Sequence, residues 1–506
     1  MTNKLCSRKI KSSITYMIIR LKFILVLLII IPCTQTLVAQ PSWPRFRGPN
    51  GTGIANTDHE LPVTFNQTKN TIWQTTVSEG HSSPIIWGNR IFLTGQNDDS
   101  LESLCLNRQT GEILWRKAVL QIKAERVHRV NSRASPTPVT DGSRVYVYFG
   151  SYGLLCYDFG GNEIWRRPLK KLLRNTFGSA SSPILVKNLL IFSYENQTES
   201  FIEAINKETG EVVWHKPREG FKSSWSTPIY WNNNGTDELI VYGVSWLTAL
   251  NLADGSDRWA VPGLADEPAV TPVMGEGLVF VSSYNMKTNT EVAGLPSYAK
   301  LLKDYDKNNN GQISFEEGRA NKSVLSRHDA DGEGDHPLRL FYRMLDADSN
   351  EQISEAEYEK LIAWVDGFEQ ENGLVAIRPA TNPGDKAEII WRYRTGVPEI
   401  PSPLYYKGRV YLVKNGGIVT CLDAKTGKKK YQARLGAGGP YYASPVIGNG
   451  KIYAASARGV VTVFEAGDSF NVLANNNLNE RVMATPAIVD GKIYIRTKTK
   501  LFAFGF

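Results

Sequence analysis

The chain has 506 residues, a length that allows several domains, so internal repeats rather than length decide the domain count. Its formal net charge is +8 at pH 7, but the first 22 residues contain six cations and no acid. These cations are Lys4, Arg8, Lys9, Lys11, Arg20 and Lys22. Without them the net charge is about +2, so the composition predicts no nucleic-acid partner.

The N-terminus is predicted to be a secretory leader over residues 1–39. The cations are followed by the apolar run Phe23–Ile31 and by a short stretch ending at Ala39, where we expect cleavage. The run is shorter than the roughly 20 residues of a membrane span. A retained N-terminal anchor and a lipid anchor at Cys33 are the minor alternatives, and each would bring the protein to a membrane. The protein is expected outside the cytoplasm: in the periplasm, at the outer membrane or secreted.

Residues 40–70 are expected to form an N-terminal cap. The segment Trp43–Gly51, with the sequence Trp-Pro-Arg-Phe-Arg-Gly-Pro-Asn-Gly, precedes the first repeat of the chain. We expect it to pack on the repeat domain that follows.

The rest of the chain contains a repeated phrase. Each copy starts with Ser or Thr followed by Pro, and continues with short β-branched or aromatic strands, a Thr-Gly-type turn and usually a tryptophan. The eight copies begin at Ser83, Ser135, Ser182, Thr227, Thr271, Ser402, Ser444 and Thr485. Their spacing of about 45 residues is that of a four-stranded blade, and one interval is longer by about 80 residues. The predicted fold class is all-β: an eight-bladed β-propeller of four-stranded blades, with a small α-helical EF-hand insert in blade five.

Closure of the propeller requires one further strand. The last copy ends at Phe504 without its own closing strand, whereas Thr71–Thr75 precedes the first copy. We expect this N-terminal strand to complete blade eight, and the aromatic residue that closes each copy to lock neighbouring blades together. The propeller then spans residues 71–290 and 371–506, and the insert spans residues 291–370.

Three cysteines occupy the same position in their repeats. Cys105, Cys156 and Cys421 each stand two residues before Asn or Asp, where other copies have Ala. The position therefore requires a small buried side chain, and disulfide bonds between different blades are not expected.

Residues 306–317 follow the EF-hand calcium-loop pattern through all twelve positions. The expected ligands are Asp306, Asn308, Asn310, Gln312 through its backbone carbonyl, Ser314 and Glu317 through both carboxylate oxygens. Gly311 allows the sharp turn at the sixth position, and Ile313 is expected to pair with a partner loop.

The partner loop is predicted at residues 346–357. Its candidate ligands are Asp346, Asp348, Asn350, Gln352, Ser354 and Glu357. Glu351 replaces glycine at the sixth position, where a left-handed backbone costs roughly 1–2 kcal/mol, so a weaker or distorted loop is expected. Flanking helices are expected at 298–305, 338–345 and 355–365. The predicted cofactor is one or two Ca²⁺ ions that order the structure.

The loops that lead into the first strands share one face of the predicted propeller. They contain cations, aromatic side chains and acids at Arg126–Arg133, Phe221–Trp225, Glu267, Glu399, Tyr441 and Arg481. This mixture is compatible with a protein, peptide or carbohydrate ligand, and solvated loops are the alternative. His81 and His128 stand too far in sequence from other ligand-type residues to predict metal chemistry, and no nucleophile and base can be assigned.

The Ser-Pro starts, the strand end at Asp158 and the phrases Lys207–Trp214 and Ala424–Gly427 resemble the pyrroloquinoline quinone (PQQ)-type propeller repeat. The resemblance covers the repeats but not the insert, and Trp43–Gly51 is similar to the start of exported bacterial members. This repeat is shared by quinoprotein dehydrogenases and by non-enzymatic BamB-type outer-membrane assembly factors. The resemblance therefore implies the fold more strongly than the function.

The dehydrogenase branch of this family implies features that the sequence lacks. A quinoprotein alcohol dehydrogenase would have a vicinal cysteine pair, and often a Cys-x-x-Cys-His haem motif, and neither occurs here. No residue can be matched to its catalytic Asp, so PQQ is not expected as a cofactor. The prediction is an exported, calcium-binding, non-catalytic scaffold for binding or assembly in the cell envelope. The alternative is a PQQ-dependent dehydrogenase acting on alcohols or sugars.

Overall fold

The computed structural model describes residues 41–506 except 98–99, 121–124, 170–173, 176, 222, 286–294, 320–322, 326–335, 339–341, 367–370 and 383–384. The predicted leader, including its cleavage site and Cys33, lies outside the described residues. The described strands form an eight-bladed β-propeller, as the sequence predicts. Contacts join the first strands of neighbouring blades, for example those of blades one and two, five and six, and eight and one, so these strands surround the axis.

Each blade is an antiparallel sheet of four strands. Blades one and two consist of Ile85–Trp87, Arg90–Asn97, Ser100–Asn107 and Ile113–Leu120, and of Val139–Thr140, Arg144–Phe149, Gly153–Asp158 and Glu163–Pro168. Blades three and four consist of Ile184–Val186, Leu189–Tyr194, Phe201–Asn206 and Val212–Pro217, and of Ile229–Asn233, Thr236–Gly243, Trp246–Asn251 and Asp257–Pro262. Blades five and six consist of Val273–Gly275, Leu278–Ser283, Gly373–Arg378 and Glu388–Tyr393, and of Leu404–Tyr406, Arg409–Lys414, Ile418–Asp423 and Lys429–Arg434. Blades seven and eight consist of Val446–Gly448, Lys451–Ala455, Val460–Glu465 and Val472–Asn477, and of Ala487–Val489, Lys492–Arg496, Lys500–Phe504 and Thr71–Thr76.

The N-terminal strand closes the ring, which confirms the predicted closure. Thr71–Thr76 runs antiparallel to Lys500–Phe504, with Trp73 opposite Ala503. Blade eight is thus built from both ends of the propeller sequence. Its sheet has all four strands, and the ring is closed.

Hydrogen bonds between the starts of the first strands correct one predicted repeat boundary. The N–H of Ser83 donates to Oγ1 of Thr137 at 2.9 Å. The same contact, at 2.9–3.1 Å, joins Thr137 to Ser182, Ser182 to Thr227, Thr271 to Ser402, Ser402 to Ser444, Ser444 to Thr485 and Thr485 to Ser83. Blade two therefore starts at Thr137, and the predicted start at Ser135 is wrong. Ser135 lies in the preceding loop, where its Oγ accepts the N–H of Ser132 at 3.2 Å.

In five blades a tryptophan of the fourth strand locks the blade to the next one, as predicted. Nε1 of Trp165 donates to the carbonyl of Lys207 at 3.1 Å, and its ring lies against Gly210, where a Cβ atom would approach to 3.0 Å. Equivalent bonds of 2.9–3.1 Å are made by Trp73, Trp115, Trp214 and Trp391. Trp259 departs from the pattern and donates to Glu238 of its own blade.

Residues 41–55, which we call the axial plug, lie among the first strands of the blades. They do not only cover one face of the propeller, as a cap would. Ser42–Trp43 pairs with the first strand of blade one, and Ile54–Ala55 pairs with that of blade seven. The guanidinium of Arg45 donates to a blade-four carbonyl at 3.1 Å, and that of Arg47 to a blade-six carbonyl at 2.5 Å. Because these blades lie on different sides of the ring, the plug crosses the axis.

The core consists of apolar clusters between neighbouring blades. One cluster joins blades one, seven and eight and includes the buried Leu104, Tyr453 and Phe502. Cys105 and Cys421 are fully buried free thiols, as is the third repeat cysteine, which agrees with the predicted small core position.

The long interval of blade five forms a small helical unit with its own core. The second and third strands of the blade pair up to Ser283 opposite Gly373, and the unit lies between these two residues in the chain. Its helices are α1 (Tyr298–Tyr305), α2 (Phe315–Gly318), α3 (Tyr342–Leu345) and α4 (Glu355–Asp366), and its short strands are Ile313–Ser314, Ser323–Leu325, His336–Pro337 and Gln352–Ile353. Ser297 starts α1, because its side chain accepts the N–H of Lys300. The predicted helix at 338–345 is described only from Tyr342.

Candidate metal centre

In the first loop, residues 306–317, the first and the last carboxylate are turned towards the backbone of the loop. Asp306 follows α1, and its oxygens accept the N–H groups of Asn310 at 3.3 Å and Gly311 at 3.0 Å. Glu317 lies in α2 and accepts one backbone N–H near each end of the loop, both at 2.9 Å. The backbone of Gly311 has φ 80°, the left-handed conformation that the sharp turn requires.

The second loop repeats this geometry with one more carboxylate among its expected ligands. Asp346 accepts the N–H groups of Asn350 at 3.0 Å and Glu351 at 3.2 Å. One oxygen each of Asp346, Asp348 and Glu357 lie within 4.8 Å of one another, close enough to bind one ion together. Glu351 has φ 61°, so the left-handed backbone anticipated at this non-glycine position is present.

The two loops are joined back to back. Ile313 and Ile353 face each other in a short antiparallel pair, which confirms the predicted pairing of the loops. The hydroxyl of Tyr298 donates to the carbonyl of Ile353 at 2.8 Å, and that of Tyr342 donates to the carbonyl of Ile313 at 3.1 Å. Each loop is thus held by the helix that enters the other loop. A buried cluster that includes Tyr358 supports both.

All twelve predicted ligands lie in these two loops. They are Asp306, Asn308, Asn310, Gln312, Ser314 and Glu317 in the first loop, and Asp346, Asp348, Asn350, Gln352, Ser354 and Glu357 in the second. Oδ1 of Asn308 accepts the N–H of Asn310 at 2.9 Å, so its side-chain oxygen points to the inside of the loop. Among the side chains expected to bind the ion, the first loop has two carboxylates and two carboxamides, whereas the second has three carboxylates and one carboxamide.

The loop-closing glutamates are ionised at neutral pH. Burial alone would raise the pKa of Glu317, but hydrogen bonds from Ser314 and from the backbone of Lys307 and Asn308 outweigh it and lower the pKa to about 2. The pKa of Glu357 is lowered in the same way. Carboxylates and carbonyls are the ligands that Ca²⁺ prefers, so the donor sets of both loops fit this ion.

A second concave site lies on the face formed by the loops before the first strands. The cavity has a volume of about 210 Å³ and is lined by His81, Arg129, Arg481 and Arg496, among others. Sequence reasoning assigned Arg129 and Arg481 to this face but missed Arg496. The available signal was a charged residue at the end of Lys492–Arg496, a strand whose other positions are mostly apolar.

Comparison with known families decides the relationship of the chain. A family model described as outer membrane protein assembly factor BamB matches residues 100–294 and 369–504, more than half of the chain. The chain belongs to this family. The helical unit of this BamB-family protein lies in the gap between the two matched segments. Within the described residues, no helix is long and apolar enough to cross a membrane.

Solved propellers resemble this BamB-family chain along most of its length. BamB from Moraxella catarrhalis is 12% identical, with a TM-score of 0.51 over 86% of this chain and 98% of that chain. A europium-containing methanol dehydrogenase is 10% identical, with a TM-score of 0.53 over 92% and 98%. Quinohemoprotein alcohol dehydrogenase from Comamonas testosteroni is 11% identical, with a TM-score of 0.52 over 92% and 80%. At these identities the similarity shows the fold alone. No curated protein matches the sequence.

Proposed function

We propose that this BamB-family chain is an exported, calcium-binding propeller that acts as a non-catalytic binding or assembly scaffold in the cell envelope. The observation that carries the proposal is the pair of oxygen-rich loops joined back to back within blade five. The family description, an outer membrane assembly factor, supports the envelope role. The cationic and apolar start of the sequence supports export.

The loops have the donor set of a paired EF-hand. In the first loop, Asp306 and Glu317 would hold Ca²⁺ with the help of amide and hydroxyl oxygens. In the second, Asp346, Asp348 and Glu357 would do so. The ion would neutralise carboxylates that repel one another and tie the helices at the two ends of each loop together. Affinities of about 10⁻⁴ to 10⁻³ M are typical of extracellular modules, so calcium is assigned a structural role.

The binding face is proposed to be the one that carries the cavity with Arg481. The axial plug approaches the first strands from their other end, where the N–H of Gly88 donates to the carbonyl of Pro41 at 3.0 Å. The cavity lies beside His81, at the start of the first strand of blade one. A protein, peptide or carbohydrate partner is therefore assigned to the face opposite the plug.

Calcium titration by calorimetry tests the metal site directly. Glu317→Gln and Glu357→Gln are each expected to remove one binding event or weaken it at least about tenfold, because each takes away the bidentate ligand of one loop. Glu316→Gln and Glu355→Gln are the matched controls, since these exposed glutamates precede the loop ligands without closing a loop. Equal affinities in all four variants would contradict the assignment of the ligands.

The non-catalytic part of the proposal has its own test. The purified protein is incubated with PQQ, Ca²⁺ and a redox dye, in the presence of simple alcohols and sugars. No dye reduction above the cofactor alone is expected, because no residue set matches the chemistry that a quinone dehydrogenase needs. Dye reduction that depends on both the protein and an alcohol or sugar would contradict the scaffold.

A further inference from the structure

Arg496 is a buried cation whose hydrogen-bond acceptors are all neutral. It is 1% exposed. Nη1 donates to the carbonyl and Oγ of Ser82 and to the carbonyl of Thr94 at 2.7–3.0 Å, and Nη2 donates to the carbonyl of Ser78 at 2.8 Å. Nε has no partner among the described residues. The guanidinium is therefore held rigidly, but no acid in the described part of the chain neutralises its charge.

Two other arginines of low exposure are paired with acids. Arg218 is buried and Arg258 is partly buried, and each contacts a buried glutamate, at 2.5 Å and 2.6 Å. Arg45 and Arg47 have no acidic partner within the described part of the chain, but they belong to the axial plug. Arg496 differs from all of these because it lines an open cavity. A buried charge without a counterion is unfavourable, so an anion beside Arg496 would be strongly favoured.

Two further arginines line the same cavity. Arg129 and Arg481 are exposed, and neither forms an ion pair with an acid that the structure describes. Among the described residues of the lining, Glu79 is the only acid, and Lys498 neutralises it at 3.0 Å. The cavity thus offers three guanidinium groups that no described carboxylate occupies.

The rest of the cavity wall, as far as the structure describes it, does not supply a counterion. Burial, together with the nearby Arg496 and Arg481, lowers the pKa of His81 to about 4, so its imidazole is neutral at pH 7. The other lining residues include the uncharged Gln96 and Asn131. The site is therefore cationic with neutral polar walls.

We propose that this cavity binds an oxyanion, the carboxylate or phosphate group of a small ligand, with Arg496 at its inner end and Arg129 and Arg481 at its mouth. Guanidinium groups bind such oxyanions through pairs of charge-assisted hydrogen bonds. A volume of about 210 Å³ is below the roughly 300–1,000 Å³ of whole-ligand pockets, so the cavity is a subsite for one charged group. The inference rests on the proposed function, because it names the ligand chemistry of the binding face.

The test is a calorimetric titration of the full-length protein with sodium phosphate and sodium acetate, at constant ionic strength and with glucose as the uncharged control. Arg129→Gln and Arg481→Gln are each expected to weaken oxyanion binding about tenfold. Lys428→Gln is the charge-matched control, because this exposed lysine lies in the turn before the fourth strand of blade six, away from the cavity. It is expected to leave the affinity unchanged.

The outcomes distinguish a phosphorylated ligand from a carboxylate ligand. They also separate the oxyanion subsite from the proposed calcium loops. Tighter binding of phosphate supports a phosphorylated ligand, and tighter binding of acetate supports a carboxylate ligand. No binding at tens of millimolar, or equal binding by wild type and both arginine variants, would overturn the proposal. The double variant Glu317→Gln with Glu357→Gln is used to remove calcium binding. A chelator such as EDTA is avoided, because it is itself a polycarboxylate and would compete for the oxyanion site. Retained oxyanion binding in that variant separates failure of the calcium loops from failure of this subsite.

Discussion

At the residue scale, Glu351 has an identifiable backbone strain. Its φ of 61° is left-handed, whereas the first loop has glycine at the same position. This conformation costs a non-glycine residue roughly 1–2 kcal/mol, and glycine would relieve that strain. The greater entropy of glycine in the unfolded chain would offset roughly 0.5–1 kcal/mol of the stability gained. Glu351→Gly is therefore expected to stabilise the helical unit by about 1 kcal/mol, measured from amide exchange of α4 in saturating calcium. Glu351→Ala removes the carboxylate but keeps the Cβ atom, and an equal gain from it would contradict the strain explanation.

His81, which lines the cavity, is expected to make the free energy of unfolding depend on pH. Burial and then the two nearby arginines lower its pKa from 6.5 to about 4. The unfolded chain therefore binds a proton between about pH 6.5 and 4 that the folded chain does not, so the free energy of unfolding falls as the pH is lowered through this window. His81→Gln is expected to remove up to about 3 kcal/mol of this pH dependence, measured by urea unfolding at several pH values. His59→Gln, at an exposed site, is the control, and the same change of slope there would contradict the assignment.

At the scale of elements, the contact between a closing tryptophan and the next turn determines how blades join. Gly210 has φ 77°, and a Cβ atom there would lie 3.0 Å from the ring of Trp165. Gly210→Ala is expected to destabilise the propeller by about 2–4 kcal/mol, because backbone strain and overpacking add. Gly220→Ala is the matched control, since Gly220 has φ 87° with nothing within 4 Å of its Cβ position. Equal losses of unfolding free energy would mean that the tryptophan contact contributes nothing.

At the scale of the whole molecule, the helical unit is an addition to a complete ring. Ser283 and Gly373 are directly opposite in blade five, so a short turn can replace the residues between them. Replacing residues 286–370 by a two- to four-residue turn is expected to abolish calcium binding and to leave the melting temperature of the propeller within a few degrees of wild type. Calorimetry and thermal unfolding measure the two effects. Collapse of the propeller in the shortened protein would show that its stability depends on the unit.

The sequence by itself determined the number of blades, the closing strand and the positions of both loops. A blade consists of four strands that follow one another in the chain, and a calcium loop consists of twelve contiguous residues, so both leave a local pattern. The same locality explains the error in blade two. Ser135 and Thr137 are both followed by proline, so the local pattern fits either one. The hydrogen bonds that join Thr137 to the first strands of blades one and three distinguish them.

The tertiary structure alone decided the path of the axial plug and the composition of the cavity. His81, Arg129, Arg481 and Arg496 come from opposite ends of the propeller sequence and meet only because blade eight closes beside blade one. Arg496 shows the limit of sequence reasoning: it stands at the end of a buried strand and is recognisable only by the neutral acceptors around it. Local patterns specify the blades because their contacts are near in sequence. Which side chains share a site depends on how the loops of different blades are placed in the closed ring, and no local pattern encodes that placement.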